Sequence, residues 1–215
     1  MEIKGFLFDF DGVIANTMEV NFACWRDTFA KYNYDLDKER YFLLEGMGTK
    51  NIAEIFIDEI EGPRPTWKEI AVNKNALFLK RFNQKIYPEI FPILDILEKK
   101  QIPFAIVTGS DKHRLEGAVD KEFLSRFNAY VTVDDTARPK PNPDPYLKGA
   151  ELIDIDPASC VVVENAPAGL TAGKKTGAFT IGILTTLSRS DLEEADLIFD
   201  DHRALLNWIE ENVDV

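Results

Sequence analysis

Short apolar runs alternate with amphipathic stretches along much of this 215-residue chain. The first run, residues 6–8, carries no charge until Asp9, which is typical of a strand buried on both faces of a parallel sheet. Similar runs predict five further strands, at residues 104–107, 129–133, 160–163, 179–183 and 197–199. These strands are separated by helical patterns, so we expect a doubly wound parallel α/β sheet with right-handed crossovers.

A purely helical stretch interrupts this alternation directly after the first strand. Helical spacing is recognisable at residues 18–31, 37–45, 49–60 and 66–83, and strand-like runs are absent between them. The chain is therefore expected to form an α/β core domain from residues 1–15 and 87–215, with a helical cap domain at 16–86. An insertion at this point can hang over a site at the strand end.

Composition narrows the classes of partner. The chain is 45% hydrophobic and 29% charged, with a net charge of −12. That charge disfavours nucleic acid and anionic membrane surfaces as partners, because both attract basic proteins. The two cysteines, Cys24 and Cys160, form no recognisable disulfide framework or zinc site. With no recognisable leader or membrane span, we expect a cytoplasmic protein that is a monomer or weak dimer.

Polar side chains follow four of the predicted strands. The candidates are Asp9 and Asp11; Thr108, Gly109 and Ser110; Lys140; and Glu164 and Asn165. Because the carboxyl ends of parallel strands share one edge of the sheet, these residues can converge although they lie far apart in sequence. Each group alone has a simpler explanation, such as a solvated loop lysine at Lys140, and only the combination is specific.

The combination suits phosphoryl transfer. Asp9 can act as the nucleophile and form an aspartyl phosphate, and Asp11 can protonate the leaving oxygen and then activate water. Thr108, Gly109 and Ser110 can donate hydrogen bonds to the phosphoryl oxygens. Lys140 can add a fixed positive charge to the phosphate site and hold Asp9 in place.

The same residues predict a metal ion. Asp9 and Asp11 repel each other and need a counter-charge, and Glu164 and Asn165 can complete a set of oxygen ligands. Oxygen-only ligands favour Mg²⁺.

Four motifs resemble those of the haloacid dehalogenase superfamily. They are Asp9-Phe-Asp-Gly-Val, Val107-Thr-Gly-Ser, Lys140-Pro-Asn-Pro-Asp-Pro-Tyr146 and Val163-Glu-Asn-Ala-Pro-Ala-Gly169. The chain is similar to the branch with a helical cap after the first strand, which includes β-phosphoglucomutase and phosphoglycolate-type phosphatases. This resemblance implies Mg²⁺, a phosphoaspartyl intermediate at Asp9 and acid/base catalysis by Asp11. The second aspartate also argues against dehalogenation.

Departures from the family pattern bear on specificity. Asn165 and Asn16 stand where the family usually has aspartates. The cap carries Asn21 in place of the histidine of β-phosphoglucomutase and Thr49 near the position of a phosphate-contacting basic residue, for which Lys50 is the nearest substitute.

We therefore expect a Mg²⁺-dependent phosphatase acting on a small phosphorylated metabolite. The alternatives are a β-phosphoglucomutase-type mutase and a non-catalytic protein that binds phosphorylated metabolites. Both histidines, His113 and His202, are expected to be solvated groups near helix starts, with no catalytic role.

Overall fold

A computed structural model describes residues 2–83 and 85–213, so residues 1, 84, 214 and 215 of the predicted domains lie outside the described part. Within it, six parallel strands form one sheet in the order β3-β2-β1-β4-β5-β6. The strands are β1 Gly5–Phe8, β2 Phe104–Val107, β3 Ala129–Val131, β4 Cys160–Glu164, β5 Phe179–Ile183 and β6 Leu197–Phe199. This arrangement confirms the predicted parallel α/β fold.

Ten α-helices lie in the same described ranges. They are α1 Met18–Phe29, α2 Lys38–Leu44, α3 Thr49–Ile57, α4 Trp67–Arg81, α5 Ile90–Lys99, α6 Lys112–Ala118, α7 Lys121–Leu124, α8 Asp144–Leu152, α9 Pro167–Lys175 and α10 His202–Asn212. Helix α7 was not predicted from the sequence. Strand β3 is shorter than predicted because the amide and hydroxyl of Thr132 bond to the Asp135 carboxylate and begin a 3₁₀ turn.

Alternation along the strands builds a core on each face of the sheet. Phe6 and Phe8 of the central strand β1 face the cluster that contains the apolar residues of α5 and α10, whereas Leu7 faces α8 and α9. Successive strand residues point to opposite faces, so a strand covered on both sides must be apolar at every position. All four residues of β1 are accordingly buried.

Helices α1 to α4, which we call the helical segment, have a hydrophobic cluster of their own. Its buried members include Trp25, Phe29, Tyr41, Phe56 and Ile70. The two ends of the segment meet, because the Asn16 amide donates to the Lys85 carbonyl at 2.7 Å and Ala15 forms an antiparallel bridge with Ile86. The two connections that join the helical segment to the rest of the chain therefore lie side by side. No helix of the described residues is both long and apolar enough to cross a membrane.

One histidine differs from expectation. His113 is exposed as predicted, but the prediction that His202 is solvated was wrong, since its side chain is 4% exposed. Its Nε2 lies 2.6 Å from the Val13 carbonyl, and its ring stacks on Tyr87 at 3.9 Å between centroids. Burial lowers the pKa of His202. The neighbouring aspartates suggested a surface site, whereas the contacts that bury the ring come from distant parts of the chain.

Replacing Leu7 by alanine should lower the free energy of unfolding by about 2–5 kcal/mol, because a fully buried side chain of β1 is lost. Leu152→Ala is the matched control: its side chain is 46% exposed, so the expected loss is below about 0.5 kcal/mol. Urea unfolding of both variants measures the difference. Equal losses would contradict the two-faced packing of β1.

Candidate active site

The predicted site residues meet at the carboxyl edge of the sheet. Seven of them are at most 4% exposed: Asp9, Asp11, Thr108, Ser110, Lys140, Glu164 and Asn165. The register explains this convergence, because β1 pairs in parallel with both β2 and β4 and their ends stop at one edge.

The Lys140 ammonium joins three of these elements. Its Nζ donates to Asp9 Oδ1 and Glu164 Oε1, both at 2.7 Å, and to the Val107 carbonyl at 2.8 Å. Burial acts to lower the pKa of Lys140, but the two carboxylates outweigh it and raise the pKa, so the side chain stays charged. Two of the three N–H donors of Lys140 thus fix the two carboxylates relative to each other, and the third ties them to the end of β2.

Both carboxylate oxygens of Glu164 accept hydrogen bonds from the protein. Besides Lys140, its Oε1 accepts from the Tyr146 hydroxyl at 2.6 Å, and its Oε2 accepts from the amides of Asn165 and Ala166 at 3.0 and 3.4 Å. Both amides precede the first turn of α9, where a carboxylate is favoured. Tyr146 belongs to the third motif, but no local pattern shows that its hydroxyl bonds to Glu164.

Asp11 is bonded to an arginine that sequence reasoning missed. Arg114 Nη2 and Nη1 donate to Asp11 Oδ1 and Oδ2 at 2.7 and 2.8 Å, and the Ser110 hydroxyl donates to Oδ2 at 3.1 Å. Burial raises the pKa of Asp11, but Arg114 outweighs it and lowers the pKa to about 2. Arg114 follows the exposed Lys112 and His113, so no local pattern marks it, although it shares the buried face of α6 with Leu115 and Ala118.

The loop after β2 contacts the helical segment. The Ser110 amide donates to the Thr108 hydroxyl at 3.1 Å, which orders the loop beside Asp11. A Cβ added at Gly109 would lie 2.8 Å from the Gly46 carbonyl. Only glycine permits this approach, so the segment lies directly over the loop that is predicted to bind phosphate.

A narrow cleft, partly open to solvent, separates the two carboxylates Asp9 and Asp11 from the helical segment. On the segment's side it is lined by Trp25, Glu45, Gly46, Gly48, Thr49, Ile52 and Lys74. Gly48 and Thr49 therefore lie where the sequence analysis expected substrate contacts. Lys50 instead lies outside the cleft lining, where its Nζ is 3.8 Å from Glu54.

We call the residues that line the cleft on the segment's side the cleft roof. Three of them carry polar groups with few or no hydrogen bonds. Lys74 is 2% exposed and has no hydrogen bond or ion pair within the described part of the chain. Burial, together with the charge of Arg114, lowers the pKa of Lys74 to about 7. Glu45 Oε1 accepts from Asn21 Nδ2 at 3.1 Å, whereas Glu45 Oε2, the neighbouring Tyr41 hydroxyl and Trp25 Nε1 are buried without hydrogen bonds of good geometry among the described residues. Buried polar groups are normally bonded, so these atoms mark a place for a polar ligand.

The four predicted metal ligands differ in how many of their oxygens are already bonded to protein donors. Asp11 and Glu164 have both carboxylate oxygens bonded to protein donors, as described above. Asp9 gives one oxygen to a protein donor, and burial together with the nearby carboxylates raises its pKa, which an added cation would relieve. Asn165 Oδ1 is buried without a partner among the residues described, and its amide group lies against Gly12, beside Asp11.

These oxygen donors fit Mg²⁺ at Asp9 and Asn165. No cluster of three or more histidine, cysteine, aspartate or glutamate side chains with metal-binding geometry occurs in residues 2–83 and 85–213. The four-residue metal set, like the catalytic and phosphate-binding roles, stays a prediction.

Comparison with known proteins agrees with this geometry. A family model described as haloacid dehalogenase-like hydrolase matches residues 6–183. Hexitol phosphatase A of Escherichia coli (strain K12) is 27% identical over 204 residues, which cover 92% of this chain and 91% of that protein. Beta-phosphoglucomutase of Bacillus subtilis (strain 168) is 26% identical over 189 residues, covering 84% and 83%.

A solved structure shows the same fold. A crystallised hydrolase from Pseudomonas syringae superimposes with a TM-score of 0.87 at 21% identity, covering 98% of this chain and 100% of that one.

Removing the Tyr146 hydroxyl should weaken the support of Glu164. Tyr146→Phe is expected to cost about 1.5–3 kcal/mol of folding free energy at neutral pH, because the buried bond goes to a charged acceptor. Tyr130→Phe is the control, since its hydroxyl bonds to Glu116 at an exposed position and should cost less than about 0.5 kcal/mol. Chemical denaturation compares them, and a neutral Tyr146→Phe change would remove the proposed support.

Proposed function

The chain belongs to the haloacid dehalogenase-like hydrolase family, and we propose that it is a Mg²⁺-dependent phosphatase releasing phosphate from a small phosphorylated metabolite. The observation that carries this proposal is the Lys140 contact with Asp9 and Glu164, beside the bonded Asp11. A nucleophile and a proton carrier buried at one cleft suit catalysis better than binding alone.

In the first step, an Asp9 carboxylate oxygen attacks phosphorus. The Asp9 oxygen–phosphorus bond forms as the ester oxygen–phosphorus bond breaks, and Asp11 gives a proton to the leaving oxygen. The charge of a phosphate dianion beside Asp11 opposes the effect of Arg114 and favours the protonated form. Lys140 holds one Asp9 oxygen at 2.7 Å and leaves the other for attack.

In the second step, Asp11 takes a proton from water. The resulting nucleophile attacks phosphorus, which breaks the aspartyl–phosphate bond and returns Asp9 as a carboxylate. Thr108 and the Gly109 amide are the proposed donors to the phosphoryl oxygens, because the amide and hydroxyl of Ser110 already donate to Thr108 and Asp11. When bound at Asp9 and Asn165, Mg²⁺ supplies positive charge that neutralises the phosphate.

We also propose that residues 16–86 form a cap domain over a core of residues 1–15 and 87–215. The separate hydrophobic cluster of the helical segment, its adjacent connections and its approach to Gly109 support this division. Opening of the cap would admit substrate, and closing would exclude bulk water from the phosphoryl group.

The roof of the cleft supports a sugar or polyol monophosphate as substrate. Glu45 Oε2 can accept from a hydroxyl, and Lys74 and Trp25 Nε1 can donate to one. The relative named hexitol phosphatase A has a substrate of this class in its name. A mutase working through a bisphosphate would have to bind a second phosphate at the roof, where the acidic Glu45 opposes it and Lys74 is the one basic residue among the described lining residues.

Asp9→Asn should reduce phosphate release by at least about 10⁴-fold without unfolding the protein, because the amide keeps the shape but cannot attack phosphorus. Asp95→Asn, at an exposed position on α5, is the control and should keep full activity. The assay measures inorganic phosphate from a panel of phosphomonoesters with Mg²⁺ and with the metal chelated. Near-normal turnover by Asp9→Asn would eliminate Asp9 as the nucleophile.

Incubation with Mg²⁺, β-glucose 1-phosphate and a trace of the 1,6-bisphosphate should yield inorganic phosphate with little glucose 6-phosphate. Within the described chain, Lys74 is the only basic residue that the segment contributes to the cleft lining, whereas Thr49 is neutral and Glu45 acidic. We therefore expect Lys74 to bind a substrate hydroxyl and not a second phosphate. Both products are quantified from one reaction. Glucose 6-phosphate forming much faster than phosphate would favour the mutase instead.

A further inference from the structure

We infer that Arg114 is a positioning residue that presents Asp11 for proton transfer and connects it to the helical segment. This inference rests on the proposed function. Arg114 is 1% exposed and lies behind Asp11, since it is not among the described residues that line the cleft. It therefore reaches the reacting atoms through Asp11 and does not contact the substrate.

The bond geometry fixes the Asp11 carboxylate. Two guanidinium nitrogens hold its two oxygens, and Arg114 also contacts the Ser110 hydroxyl, which itself donates to Asp11. A planar two-pronged contact sets the plane of the carboxylate as well as its distance, which a single bond does not. The oxygen that exchanges a proton with the leaving group is thus aimed before substrate arrives.

Stability alone does not account for this buried pair. Burying two charges costs solvation free energy, and such a pair is often no more stabilising than apolar residues of similar volume. Arg114 Nε is buried with no hydrogen-bond partner in the described ranges, so the guanidinium is not fully bonded. An incompletely bonded buried arginine is more readily explained by its effect on Asp11.

The Arg114 guanidinium also packs against the helical segment. The guanidinium carbon lies 3.9 Å from the centre of the Phe78 ring on α4. Asn75, one turn earlier on α4, donates to Asp111 Oδ2 at 2.5 Å, and Asp111 Oδ1 accepts from the Arg114 amide and caps α6. Arg114 is therefore enclosed between Asp11 and α4. Movement of the helical segment away from the core would expose the guanidinium to water and weaken its grip on Asp11.

The test compares two esters that differ in their need for a proton. p-Nitrophenyl phosphate has a leaving group that departs unprotonated, whereas benzyl phosphate has a similar size but a strongly basic leaving oxygen. In Arg114→Met, kcat/KM for benzyl phosphate should fall on the order of 10²-fold, and for p-nitrophenyl phosphate less than about threefold. Arg114→Lys should recover only part of the loss, because an ammonium cannot hold both oxygens in one plane.

Two further variants serve as controls. Asp11→Asn should show the same selectivity for the basic leaving group, and Arg126→Met, which removes an arginine paired with Glu98 and Asp95, should change neither ester. Circular dichroism verifies folding, and Arg114→Lys carries the test should Arg114→Met fail to fold.

Several outcomes would overturn the assignment. Equal losses on both esters, unchanged benzyl phosphate turnover or full rescue by lysine would each exclude a positioning role for the guanidinium. A rise in benzyl phosphate turnover would mean that Arg114 restrains Asp11 instead of presenting it. In all these cases the wild-type protein still hydrolyses phosphate esters, whereas a wild-type protein that releases no phosphate from these two esters or from the phosphomonoester panel would overturn the proposed function as well.

Discussion

The ammonium of Lys140 is the contact on which the rest of the site depends. It holds Asp9 and Glu164 at 2.7 Å each, and its own side chain is buried. Two carboxylates buried this close would repel each other, and a third, Asp11, lies nearby and has Arg114 as its own cation. Two cations thus stabilise three buried carboxylates at one edge of the sheet. The fixed cation also leaves one Asp9 oxygen free to react.

The fold places these charged side chains at the edge of the sheet and not between its apolar layers. An apolar β1 lies between β2 and β4, so its end and theirs open at one edge, where loops carry the polar side chains. The helical segment then encloses that edge, and its close approach at Gly109 requires a residue without a side chain. Burial makes the charge interactions strong, because less water screens them. The same enclosure leaves Lys74 and Glu45 with unused bonding capacity, and the proposal of a hydroxyl-bearing substrate rests on these groups.

Local pattern was sufficient for the strands and for the residues at their ends. The β1 strand and the turn at the glycine after Asp11 can be recognised from the sequence alone, because a buried strand must be apolar and a sharp turn favours glycine. The pairing of Arg114 with Asp11 could not be predicted, since it joins residues 103 positions apart and α6 begins among charged, exposed neighbours. His202 was misassigned for the same reason. Its burial depends on Val13 and Tyr87, which only the folded chain brings to it.

The account stands on Asp9 as the residue that accepts the phosphoryl group, and locating that group tests it most directly. The wild-type protein would be mixed with Mg²⁺ and p-nitrophenyl phosphate, quenched in acid within the first turnovers, digested and analysed by mass spectrometry. We expect a phosphoryl group on Asp9 that forms and decays at the rate of phosphate release. Phosphate release with Asp9 unmodified throughout, or with the phosphoryl group on another residue, would contradict the account.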